Sequence, residues 1–169
     1  SDHAATVTKY LIEITCGIPV ALAAPSVVTL YKSRLNLARS LVIGISQSGQ
    51  SPDVVEYVSQ AKAWGALTAC VSNDLDSDLS KVSDYCIFCH AGEEKSVAST
   101  KTYTAALAAC YLFALVLSED KTLQEELMKV PENMQQVFEM EQVIKELAPR
   151  YRFMEECFVM ARGINHATA

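Results

Sequence analysis

Residues 41–55 read LVIGISQSGQSPDVV, a strand, a polar loop and a helix start in immediate succession. The run from Ser40 to Ser46 is apolar and β-branched without polar alternation, the pattern of a parallel strand covered on both faces. It is expected to be central in its sheet. The strand ends in a small polar loop that runs straight into a helix start, with Ser51 as capping side chain, Pro52 at the first helical position and Asp53 in the first turn. That helix is expected to reach about Trp64, with Gly65 as its stop. Free N–H groups and the positive end of the helix dipole favour an anion in such a loop. The hydroxyls of Ser46, Ser48 and Ser51 and the amide of Gln47 add directed donors, while Gly49 permits a close approach or a positive φ. An ordinary capped turn would use the same residues. The position at the carboxyl end of a parallel strand, where open α/β sheets bind ligands, favours binding. A Walker-type lysine and a GxGxxG run are both missing from the sequence, which argues against a nucleotide.

Working outward, strands alternate with helices. Upstream, Ala4 to Cys16 reads as a helix ended by Gly17 and Pro19. A short strand, Pro19 to Ala23, and a helical segment near Ser26 to Tyr31 follow. Downstream come a strand at Ala66 to Ser72, a short helix near Ser77 to Val82, and a strand at Tyr85 to His90. From Ser99 to Leu117 the chain reads as a helix, and two amphipathic helices on either side of Pro131 extend to about Leu147. Cys157 to Arg162 again has the look of a buried strand. The succession is that of βαβ units on a mainly parallel sheet.

Residues 91–107, AGEEKSVASTKTYTAAL, repeat the design of the first loop. A strand ends, a polar loop follows, and Ser99 or Thr100 caps a long helix. This loop is a candidate second wall of the site, although by itself it also reads as a capping serine beside solvated Glu93, Glu94 and Lys95. Lys101 suits either an approach to a bound anion or a solvated position.

ISQSGQSPD, followed about fifty residues later by EEKSVASTKTYTAAL, resembles the SIS (sugar isomerase) domain family. The resemblance is closest to the first module in the isomerase half of glucosamine-6-phosphate synthase and in related two-module amino-sugar-phosphate isomerases and deaminases. It implies a flavodoxin-like α-β-α sandwich with a five-stranded, mainly parallel sheet, and a homodimer. It also implies that Ser46, Gln47, Ser48 and Ser51 hold a sugar phosphate, that Ser1 touches it, and that the Val97 backbone and Ser99 bond the sugar. Gln50 and Ser51 stand where the synthase has Glu and Thr, a departure that keeps a hydroxyl at the last position. On this reading residues 1–156 form a first module whose opening strand lies upstream of Ser1. Residues 157–169 begin a second module, with Cys157 to Arg162 placed to complete the sheet in its own chain or by exchange with a partner. The family's catalytic glutamate, histidine and lysine belong to that second module and find no match here. Glu94, the loop acid close to the proposed site, is the candidate base. The function implied is phosphosugar binding within an isomerase, aminotransferase or deaminase acting on fructose 6-phosphate or glucosamine 6-phosphate; the alternative is a regulatory module that senses a phosphosugar.

Composition bounds these readings. The chain has 169 residues, half of them hydrophobic and a fifth charged, enough for one domain with a sizeable core. A formal net charge of −6 disfavours nucleic acid and anionic membrane as partners, so an anion must be held by directed hydrogen bonds. The apolar run Ala105 to Leu117 is short for a bilayer and reads as a core helix. Six cysteines without a basic and apolar leader suggest reduced thiols in the cytoplasm, with Cys86 and Cys89 as core thiols. His3, His90 and His166 lack a paired acid or cysteine at ligand spacing, so neither metal nor cofactor is expected. Ser1-Asp2-His3-Ala4 and Ile164-Asn165-His166-Ala167 show a weak likeness to each other.

Overall fold

The computed structural model of the protein describes residues 1–95 and 99–169. Three parallel strands, β1 (Leu41–Ile45), β2 (Leu67–Ser72) and β3 (Tyr85–Phe88), pair in the order β1-β2-β3. Their register aligns Gly44 with Cys70 and Cys70 with Cys86. Because side chains alternate across a strand, this register sorts them onto two faces. Val42, Cys70 and Cys86 meet the buried Val58 and Leu79 of helices α3 (Pro52–Ala63) and α4 (Asp78–Val82). Ile43, on the other face, packs against Val7, Leu11 and Ile12 of α1 (Asp2–Cys16) and Ala114 of α5 (Lys101–Ser118). Helices thus cover both faces of a parallel sheet, the α/β arrangement expected, with three strands among the described residues. α2 is the short segment Ser26–Thr29.

Two expectations are corrected. Among the described residues β2 is the middle strand and β1 pairs on one side alone; the β1 run is apolar because both of its faces are covered, which does not require neighbours on both edges. Pro19 to Ala23 forms no strand. The Val20 N–H donates to Glu13 Oε1 at 2.9 Å, and the Val20 carbonyl accepts from Lys9 Nζ at 2.7 Å. Side chains of α1 therefore hold both backbone groups that a ladder would use. Within its own chain Cys157 to Arg162 does not join the sheet, and Phe158 and Met160 are about nine-tenths exposed, which leaves exchange with a partner as the form in which the expectation stands. An apolar run shows that a segment can pair, not where an edge will meet it.

The region beyond α5 folds as α6 (Lys121–Leu127), α7 (Val130–Glu139) and α8 (Glu141–Leu147), with Pro131 in the first turn of α7 and not between two helices. Every residue from 128 to 162 is exposed. α5 is long and apolar enough, by length and composition, to cross a membrane. It lies against α1, with Cys110, Ala114 and Leu115 buried.

At the amino ends of the strands, Asp84 ties β2 to β3. Its Oδ2 accepts from the Thr68 N–H at 2.9 Å and the Thr68 hydroxyl at 2.8 Å, and its Oδ1 meets Lys62 Nζ at 2.8 Å. The Lys62 bond, followed by those from Thr68, holds the carboxyl at about 2, below its ordinary 3.8. A folded value below the unfolded one adds stability that is complete above pH 3.8 and disappears as pH falls through about 2. Asp84→Asn is therefore expected to lower the urea midpoint at neutral pH and to shrink its loss between pH 4 and pH 2. An unchanged acid limb would exclude this carboxylate as a contributor.

Candidate functional site

A cavity of about 490 Å³ opens at the carboxyl ends of β1 and β2. Its volume is that of a small-molecule site. Ile45, Val71 and Ala106 give it an apolar wall, and Ser46, Gln47, Asn73, Ser99, Thr102 and Tyr103 bring polar groups. Lysine, arginine and carboxylate side chains are absent from its described lining. For a bound anion the described lining offers hydroxyls, amides, the His3 imidazole and helix termini.

The first loop is fixed from below. The Ser46 N–H donates to the Val71 carbonyl at 3.0 Å, which carries the chain past the end of β1 still bonded to β2. Ser46 is buried at 3% exposure, and its Oγ accepts from the Gly49 N–H at 3.2 Å and lies 3.3 Å from Ser51 Oγ. Ser51 occupies the N-cap position of α3 but makes no side-chain cap bond; its hydroxyl faces Ser46 instead. The Gln47 carbonyl accepts from the Asn73 N–H at 3.0 Å and the Gly49 carbonyl from the Leu79 N–H at 3.0 Å. With its carbonyls turned down, the loop leaves the N–H groups of Gln47 and Ser48 without a partner among the described residues. Ser48 is exposed, and its Oγ accepts from the Gln50 N–H at 3.3 Å, leaving its proton to donate.

The second loop leads into α5. Thr100 is the N-cap residue but makes no side-chain cap bond, and Ser99, exposed, is not the cap either. The cap comes from Glu94, whose Oε2 accepts from the Thr100 N–H at 3.3 Å, the Thr102 N–H at 3.2 Å and the Thr102 hydroxyl at 2.9 Å. A carboxylate on the positive end of the helix is the favourable pairing.

Ser1, Ser46, Gln47 and Ser99 of the predicted set share the cavity lining. Ser48 and Ser51 sit on the same loop outside that lining, and Val97 lies outside the described residues. His3 lines the cavity; His90 and Lys101 do not, and His90 stacks edge-on against Phe88 at 4.3 Å. The sequence reading missed Asn73, Thr102, Tyr103 and Cys89. Asn73 directly follows a strand, the same signal that marked the two loops. Ser99, Thr102, Tyr103 and Ala106 recur at the three- and four-residue spacing of one helix face. Burial, then the neighbouring Cys110 and Cys86, push the Cys89 thiol up to about 11, so it stays protonated at neutral pH and serves as wall, not nucleophile. The two self-similar stretches meet here. Ser1, His3 and Ala4 line one side, Ala167 to Ala169 another, and the Tyr103 and Thr168 hydroxyls lie 3.0 Å apart.

The SIS domain profile matches residues 1–116. The chain belongs to the SIS domain family. It is 33% identical over 176 residues to the glutamine–fructose-6-phosphate aminotransferase [isomerizing] of Clostridium tetani, matching 99% of this chain and 29% of that protein. Among solved structures, it resembles the C-terminal domain of the Francisella tularensis glucosamine-fructose-6-phosphate aminotransferase at 26% identity. That match has a TM-score of 0.87 and covers 99% of this chain and 50% of that one. A proposed phosphosugar isomerase from Silicibacter pomeroyi is 41% identical, with a TM-score of 0.75 over 78% of this chain and 40% of its own. The SIS chain described here thus spans under a third of the aminotransferase's length.

Proposed function

We propose that this chain is the phosphosugar-binding module of an amino-sugar-phosphate isomerase, aminotransferase or deaminase acting on fructose 6-phosphate or glucosamine 6-phosphate. The observation that carries the reading is the cavity at the carboxyl edge of the sheet, bounded by two serine-bearing loops that each feed a helix. Ser46, Gln47, Ser48 and Ser51 hold the phosphate at the N-terminus of α3, with Ser1 beside them. Ser99 and the Val97 backbone bond the sugar, whose C–H face lies on Ile45 and Val71.

Aldose–ketose isomerisation passes through ring opening and proton transfer between C1 and C2, which requires a general base, such as a carboxylate, at those carbons. Glu94, the candidate base in this chain, is occupied at the α5 N-terminus. We therefore assign this chain's residues to binding and orientation, which by themselves contribute much of the rate of a positioned reaction. The protein is read as a cytoplasmic homodimer.

The test is calorimetry on the full-length protein with fructose 6-phosphate, glucosamine 6-phosphate and the unphosphorylated sugars, together with an isomerisation assay. Binding of the phosphorylated sugars alone is the expected result, and equal binding of the unphosphorylated ones would sink the reading. Binding without turnover would move the protein to the sensing class. Ser48→Ala is expected to weaken the phosphosugar by about 1 to 3 kcal/mol, the cost of a hydrogen bond to a charged group. Unchanged affinity in that variant would count against the loop as the phosphate site.

A further inference from the structure

Asn73 touches both loops. Its N–H donates to the Gln47 carbonyl at 3.0 Å, in the loop assigned to the phosphate. Its side chain turns to the other loop, where Nδ2 donates to the Gly92 carbonyl at 2.7 Å and Oδ1 accepts from the Ala91 N–H at 2.9 Å. Both polar ends of the amide are therefore bonded to consecutive residues at the start of the second loop. At the far end of that loop, Glu94 gathers Thr100 and Thr102 through three bonds to one oxygen. Ser99, which lines the cavity, is the residue next to that cap. Thr102 is buried at 3% exposure, so the Glu94 bond to its hydroxyl is anchored in the protein interior.

We infer that Asn73 and Glu94 are positioning residues that fix the described ends of the second loop, Ala91 and Gly92 on one side and Ser99 with the start of α5 on the other, against the phosphate loop. Neither acts as acid or base. The inference rests on the phosphosugar reading above and adds to it the residues that set the separation between the two binding loops. Their physical contribution is preorganisation: groups such as Ser99 that are already held in place do not lose that freedom when the ligand arrives. The phosphate loop has its own supports in Val71 and Leu79, so the two halves of the ligand respond differently when these clamps are cut.

The experiment measures binding of glucosamine 6-phosphate and, separately, inorganic phosphate to the full-length protein and to Asn73→Ala, Asn73→Asp, Glu94→Ala and Glu94→Gln. Asn73→Ala and Glu94→Ala are expected to lose about tenfold in affinity for the phosphosugar, the equivalent of one or two neutral hydrogen bonds. Affinity for inorganic phosphate should change less than about twofold in the same variants. Glu94→Gln, which keeps an acceptor oxygen for α5, should recover most of the loss. Asn73→Asp keeps the bond from Ala91 but cannot donate to Gly92; it should show the same selective loss and replaces Asn73→Ala if that variant fails to fold. A parallel fall for both ligands would mean a general structural role, and unchanged sugar affinity would mean no role; either outcome overturns the inference. A wild-type protein that binds neither ligand removes the phosphosugar reading itself, a result distinct from both.

Discussion

Gly49→Ala is expected to abolish phosphosugar binding and to destabilise the protein by about 2 to 5 kcal/mol, the sum of a left-handed backbone penalty and an overpacking penalty. Gly49 sits at φ +62, in the middle of the proposed phosphate loop. A methyl group there would stand 2.2 Å from Ser77 Oγ, 2.4 Å from Ser77 Cβ and 3.0 Å from Ser72 Oγ. Rotating the Ser77 hydroxyl away does not help, because the Cβ remains in contact. Ser77 itself is fully buried, caps α4 by accepting from the Ser80 N–H, and donates to the Asp74 carbonyl at 2.8 Å. The loop must therefore lift, breaking the Leu79 to Gly49 bond and moving Ser46, Gln47 and Ser48 together. Thermal unfolding should fall by roughly 5 to 15 °C for a chain of this size, and calorimetry should detect no binding. A variant that melts within a degree of the wild type and still binds would show that the loop does not need its glycine.

Leu79→Ala is expected to cost about 2 to 5 kcal/mol while leaving the binding affinity of the folded protein within about threefold. Leu79 is fully buried and packs with Val58 and Cys70 at the centre of the cluster beneath α3 and α4. Its methyls pack closely over Gly44, at 3.0 and 3.4 Å from where a side chain on that glycine would begin. Truncation leaves a void that α4 can close only by moving, which is why such losses exceed simple transfer values. What Leu79 gives the site is its backbone N–H to Gly49, and alanine keeps that group. Urea unfolding and calorimetry together separate the two effects. An affinity loss as large as that of Gly49→Ala would mean that the side chain shapes the loop as well as the core.

Much of the site was legible because it is built from local signals. A β-branched run followed by SQSGQSPD specifies strand, turn and helix start within fifteen residues, and strand β1 and helix α3 lie where that reading put them. Ser46, Gln47, Ser99 and Ser1 meet at one cavity although up to 98 residues separate them in the chain. What failed were inferences about which partner a backbone group or a capping side chain would choose, whereas Gly17 ends α1 and Ser51 and Pro52 open α3 as read. Val20 lies in a strand-like run, but Lys9 and Glu13 hold its backbone. Ser51 and Thr100 have capping side chains at capping positions, yet Ser46 engages one and Glu94 takes over the function of the other. Such competitions are between partners distant in sequence, and propensity carries no information on who is nearby.

The alternation of strands and helices, and which loops carry donors, are local properties of the chain, because hydrophobic period and turn chemistry act over a few residues. Long-range packing set the rest: that β1 pairs on one side among the described strands, that Asn73 joins the two loops and that Glu94 serves a helix end. Those outcomes depend on distances between segments that the chain brings together only after it has folded, when each buried polar group must take the partner within reach.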